Sequence, residues 1–121
     1  MDPVGPEEFF AGSPLGTAVH ARVTAVLDEA GGAEVRVSAS QVAFRRRRGF
    51  AWLWLPGRHL RHPAAEVVLS VALGRADPSP RWKEVAHPSR LHWVHHLELH
   101  DPADVDDEVA GWLREAAERA G

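Results

Sequence analysis

The side chains with the most chemistry to offer stand in two short tracts and one scattered set. The tract LHWVHHLELH, residues 91–100, carries His92, His95, His96 and His100. On an extended strand His92, His96, Glu98 and His100 share a face, with a step of about 7 Å between alternate residues. Alternating imidazoles beside a carboxylate are a ligand set for Zn²⁺ or another divalent ion. The plainer reading is the polar, half-exposed face of an outer strand whose other face carries Trp93, Leu97 and Leu99.

The second tract is AFRRRRGF, residues 43–50, in which Arg45, Arg46, Arg47 and Arg48 precede Gly49. If Phe44 and Phe50 lie on paired strands, Arg46 to Gly49 form the hairpin loop and its arginines splay outward. No acid occurs between Glu34 and Glu66, whereas Arg58 and Arg61 do, so these six arginines make a candidate site for an anion or nucleic acid. A charged turn that discourages edge pairing is the plainer alternative.

The scattered set is aromatic. Trp52, Trp54, Trp82 and Trp93 are candidate walls of a pocket for a planar ligand, with core packing as the competing role. Trp52 and Trp54 share a parity with Phe50. For nucleophilic chemistry the chain offers little: no cysteine, no GxSxG and no glycine-rich phosphate loop. Ser38, Ser40, Ser70 and His20 carry suitable groups, but nothing in their spacing brings them together. No catalytic residue is assigned, and the chain leans toward a non-enzyme, with positive evidence for an enzyme lacking.

Composition narrows the classes. A net charge of −3 means that any polyanion binding must come from a local patch. The absence of cysteine excludes disulfides and thiolate metal sites and suits a reducing cytoplasm. No stretch reaches the ~18 to 20 apolar residues of a membrane helix, and MDPVGPEEFF lacks the basic start of a signal peptide.

The elements that must position these groups follow from periodicity. Ser13-Pro14 supplies a cap and a first-turn proline, and Leu15, Val19, Val23, Val26 and Leu27 continue at helical spacing to Gly31-Gly32, predicting a helix over 14–30. Val35 and Val37 fall on one parity and Val42 and Phe44 on the other, so a bulge or break must lie between 38 and 41. FAWLWL, residues 50–55, is apolar on both parities and reads as a central strand covered on both faces. Strands are further expected over 66–73, 82–85 and 91–99. Asp101-Pro102 opens a closing helix whose stripe is Val105, Val109, Trp112, Leu113, Ala116 and Ala120. The predicted fold is α+β: an N-terminal helix, an antiparallel sheet of four to five strands and a C-terminal helix in a two-layer sandwich. One domain spans 1–121, with an ordered core over about 9–119 and a loose segment over 1–8.

QVAFRRRRGFAWLWLPG, EVVLSVALG and RWKEVAHPSRLHWVHHLELHDPADVDDEVAGWLREA together resemble the bacterial domain of unknown function 5655 over nearly the whole chain. The marks are Val42-Ala43-Phe44, the charged turn Arg45 to Gly49, Phe50-Ala51 and the Trp112-Leu113 pair. A more distant topological similarity links the order of elements to YjbR-type double-wing proteins. The resemblance implies the fold and assigns no catalytic residue.

The expectation is therefore a small cytoplasmic binding module, monomer or homodimer, that contacts an anionic partner such as nucleic acid through Arg45 to Arg48, Arg58 and Arg61. The alternative is a small-ligand or metal-binding protein, with enzymatic activity open, that uses the aromatic sheet face or the histidine strand. No cofactor is expected, with Zn²⁺ as the weaker option.

Overall fold

A computed structural model describes residues 5–58, 60–61 and 63–121. A one-turn helix, α1 (Pro6–Phe9), sets Phe9 into the core. The expected loose segment thus begins to be structured at residue 6, and its residues 1–4 lie outside the described residues.

Helix α2 (Pro14–Glu29) starts where the sequence places it: the Ser13 hydroxyl accepts the Gly16 amide at 2.9 Å, and Pro14 occupies the first turn. Its buried face is Gly16, Val19, Val23 and Leu27. A Cβ on Gly16 would stand 2.5 Å from the Phe10 ring, so the glycine is what lets that ring pack on the helix. Gly31 and Gly32, at φ +110° and +89°, end the helix in a conformation closed to other residues.

The sheet has six strands rather than four to five: β1 (Glu34–Val37), β2 (Val42–Arg45), β3 (Gly49–Trp54), β4 (Val67–Leu73), β5 (Glu84–Ser89) and β6 (His92–Leu99). The order is β1-β2-β3-β4-β6-β5, with every neighbouring pair antiparallel. The extra strand comes from the parity change at 38–41. It is a tight turn, closed by the Ser38 amide on the Gln41 carbonyl at 2.9 Å, and Val35 and Val37 pair with Phe44 and Val42 on one face. Trp82 belongs to no strand; β5 begins two residues later, and Trp82 is buried in the core.

A bulge changes the reading of β3. Phe44 pairs with Ala51 and Arg45 with Gly49, which leaves Phe50 as the extra residue. Phe50 and Ala51 are both buried, so Phe50 does not share the half-exposed face of Trp52 and Trp54. The strand buried along its whole length is β4, all seven of whose residues are buried, rather than 50–55.

Helix α3 (Asp107–Ala120) begins later than Asp101-Pro102 suggests. That pair opens only a 3₁₀ turn, Pro102–Asp104, in which the Asp104 carboxylate folds back onto the His100 and Asp101 amides at 2.9 and 3.1 Å. Asp106 then caps the true helix by accepting the Val109 amide at 3.1 Å. Val109, Trp112, Leu113, Ala116 and Ala120 are buried as the periodicity requires.

Helices α2 and α3 pack together on one face of the sheet, over Ala51, Leu53, Leu69, Val71 and Leu97. The segment 74–83 that carries the chain from β4 to the far edge is tied down at both ends. His95, 0% exposed, accepts the Asp77 amide on Nε2 at 2.9 Å and faces the Trp93 carbonyl with Nδ1 at 3.0 Å. The Trp82 indole donates to the Asp77 carboxylate at 3.0 Å, and Arg75 bridges Asp77 and Glu115 on α3. Burial by itself would raise the Asp77 carboxyl, but the bonds from Trp82, Arg75 and the Ser79 amide hold it below its ordinary value.

Candidate functional site

Among the described residues neither long helix lies over the other face of the sheet, and its character is set by the residues that alternate away from the core. Register aligns Trp52 on β3, Ser70 on β4, His96 on β6 and Glu84 on β5 in one cross-strand row. Trp54 and Glu98 flank Val68 in the next row. Ser70 is the one polar residue in the run VVLSVAL and is 4% exposed. Burial of a hydroxyl requires partners, and it has two. The Trp54 indole N–H donates to Ser70 Oγ at 3.2 Å, and Ser70 Oγ lies 2.7 Å from His96 Nδ1.

Around this chain of hydrogen bonds lies a depression of about 540 Å³, lined by Gln41, Trp52, Trp54, Ser70, Val94 and His96. A second hollow of about 230 Å³ shares Trp54 and His96 and is bordered by Leu60, Lys83, Glu84 and Glu98. A Cβ on Gly49 would stand 3.0 Å from Trp52 Cζ2, so the glycine after the arginines leaves room for the indole to lie over the strand. Burial pushes the His96 imidazole below its ordinary pKa, the Glu84 carboxylate opposes this, and His95 adds to it. The net effect favours the neutral form of the ring.

A serine bonded to a histidine invites comparison with hydrolytic dyads, but the surroundings favour binding. Ser70 lies in the middle of a strand paired on both sides, so the amides around it serve the ladder and no pair is aimed at an oxyanion. Its oxygen already accepts the Trp54 N–H.

The arginines have a different setting. The Arg46 guanidinium donates to the carbonyls of Ala30 (2.7 Å), Gly32 (3.0 Å) and Ala117 (3.2 Å), the C-terminal ends of α2 and α3. Arg48 donates to the Arg119 carbonyl at 3.2 Å, and the Arg47 amide to the Ala120 carbonyl at 3.0 Å. Positive charge here meets the negative ends of two helix dipoles. Of the tip, the Arg47 side chain is exposed with no partner among the described residues, and Arg45 is half-buried with its Nε unpartnered. Arg58 and Arg61 follow the other end of β3, whose six residues span ~20 Å, so they do not extend the tip into one patch. The Arg58 guanidinium lies 4.3 Å from the centre of the Phe9 ring and donates to the Phe9 carbonyl.

The histidine tract is also dispersed. His96 is bonded to Ser70, Glu98 to Lys83 at 3.0 Å, and His92 Nδ1 to Arg119 at 3.1 Å, while His100 lies past the strand end. Among the described residues no group of three or more histidine, cysteine, aspartate or glutamate side chains is placed to hold a metal ion. Nor do the four tryptophans form one wall. Trp82 packs in the core, 4.1 Å from Trp112 between ring centres, and Trp93 stacks on His87 at 3.5 Å. Only Trp52 and Trp54 line the open face together. A further depression of about 530 Å³ holds Ser13, Arg58, Glu66 and His100, but Ser13 donates to Glu66 and Arg58 is engaged on Phe9.

The family model for a domain of unknown function (DUF5655) matches residues 7–119. The chain belongs to this family. Membership of the DUF5655 family covers both helices and the whole sheet, and therefore the open face as well as the arginine hairpin. No curated protein and no solved structure matches the chain significantly. None of its described helices is long and apolar enough to cross a membrane.

Proposed function

We propose that this DUF5655 protein is a binding protein that takes up a small planar ligand on the open sheet face, between Trp52, Trp54, Val94 and His96. The observation that carries this reading is the pairing of two half-exposed indoles with a Trp54–Ser70–His96 hydrogen-bond chain, centred on the buried Ser70, beneath a hollow of about 540 Å³. That volume is within the ~300 to 1,000 Å³ usual for small-molecule sites, and the combination of apolar walls with few polar groups is their usual lining. The arginine tip is the weaker candidate, because Arg46 and Arg48 are engaged on helix C-termini. The cysteine-free chain suits ligand binding in a reducing cytoplasm.

Indole N–H resonances test the reading directly. On titration with two-ring aromatic fragments, the Trp52 and Trp54 signals should shift in a saturable way. Those of Trp82 and Trp112, buried against each other, should stay in place. Shifts confined to other residues, or no saturable shift, would refute the proposal.

A further inference from the structure

The hydrogen-bond chain under the groove has a direction. Trp54 Nε1 can only donate, so Ser70 Oγ accepts from it. The remaining partner of Ser70 Oγ is His96 Nδ1, so the hydroxyl proton points to that nitrogen. Nδ1 is then an acceptor, and the single proton of the neutral ring resides on Nε2. The opposite tautomer would leave the buried Ser70 hydroxyl proton without an acceptor.

Resting on the groove reading above, we infer that the site selects uncharged planar heterocycles with an in-plane acceptor atom, and that His96 Nε2–H is the donor that recognises it. Trp54 and Ser70 have their protons engaged within the chain, which leaves His96, the Trp52 indole N–H and the Gln41 amide as the polar groups lining the larger hollow, and of these His96 alone also lines the second hollow. The charge at the border points the same way. Glu84 and Glu98 stand beside His96, and Lys83 is paired with Glu98 at 3.0 Å, so an anionic ligand would meet uncompensated carboxylate.

Three probes of matched shape separate the parts of the inference: naphthalene, quinoline and a quinoline carboxylate, each titrated against the full chain at pH 8 by indole N–H shifts. Quinoline should bind about fivefold more tightly than naphthalene, the worth of one net hydrogen bond, and the carboxylate more weakly than quinoline. His96→Phe should abolish the preference for quinoline over naphthalene, read as the ratio of the two affinities within the variant. Ser70→Ala, which frees the tautomer, should reduce the quinoline preference part-way, and the wild-type comparison stands even if either variant folds poorly. Equal binding of quinoline and naphthalene would overturn the donor role of His96 while leaving the aromatic groove intact. A quinoline preference that survives His96→Phe would transfer the role to Gln41 or the Trp52 indole N–H and overturn the inference. Tighter binding of the carboxylate would overturn the charge argument, and no binding by any probe would overturn the groove reading as well.

Discussion

Replacing Arg46 with alanine should destabilise the protein through a contact that joins three parts of the chain. The guanidinium bonds the Ala30, Gly32 and Ala117 carbonyls at 2.7, 3.0 and 3.2 Å, closing the ends of α2 and α3 against the β2-β3 hairpin. A charge at one helix C-terminus is worth ~0.3 to 1 kcal/mol, and here it serves two. Hydrogen bonds from a charged donor are worth ~1.5 to 3 kcal/mol when buried, but Arg46 is only half-buried and water can reach the released carbonyls, so a fraction of one such bond remains. The sum is about 2 kcal/mol, or a fall in Tm of roughly 8 °C for a domain of this size. Arg46→Lys keeps the charge and loses the planar fork, so it should recover about half. Arg47→Ala, whose side chain has no partner among the described residues, should stay within about 0.5 kcal/mol of the parent. Urea unfolding of the four proteins at one pH measures all of this. If Arg46→Ala and Arg47→Ala unfold at the same midpoint, the helix-end argument is wrong.

His95→Phe should cost about 2 to 4 kcal/mol, since it leaves the Asp77 amide and the Trp93 carbonyl facing a ring that cannot bond them; a melt unchanged from the parent would contradict the role given to this side chain in holding residues 74–83. Acid should weaken the fold from near pH 6.5 downward. Burial lowers the pKa of His20 below 6.5, with Glu7 partly opposing, and its ring lies between Phe10 and Phe44, at 5.6 and 5.9 Å. The unfolded chain therefore takes up the proton first, so the stability is complete above pH 6.5 and is lost as the pH falls toward the folded-state value. His20→Phe should flatten the dependence of the urea midpoint between pH 7.5 and 5.5; an unaltered slope would assign it elsewhere, His96 having a shift of the same sign.

Both long helices were legible because their signals are local: a capping serine with a proline after it, a stripe at helical spacing, a glycine stop. The closing helix was displaced only because two caps, Asp101 and Asp106, stand five residues apart and the first opens a single turn. The sixth strand was hidden for a related reason. A parity change is equally compatible with a bulge and with a hairpin, and only pairing of Val37 with Val42 decides between them. Parity also misplaced Phe50, because the bulge opposite Phe44 and Arg45 turns it inward. The candidate groove depended on information of longer range. Ser70 was visible as a lone hydroxyl in an apolar run and His96 as one histidine among several. Their meeting follows from β6 pairing with β4 while β5 is passed over. The arginine hairpin is the same case, since nothing near residues 45–48 announces that two helices end beside it.

That strand order also governs how the groove comes into being. β1, β2 and β3 follow one another through short turns and β4 follows after residues 55–66, whereas β4 pairs with β6 across residues 74–91, with Leu73 meeting Trp93 and Val67 meeting Leu99. Pairing at such separation closes a large loop before any contact rewards it, which marks it as a late step in assembly. Trp52 and His96 stand on opposite sides of that junction. A chain that has completed only β1 to β4 carries both indoles without His96 opposite them, so the proposed groove exists only once β6 has docked.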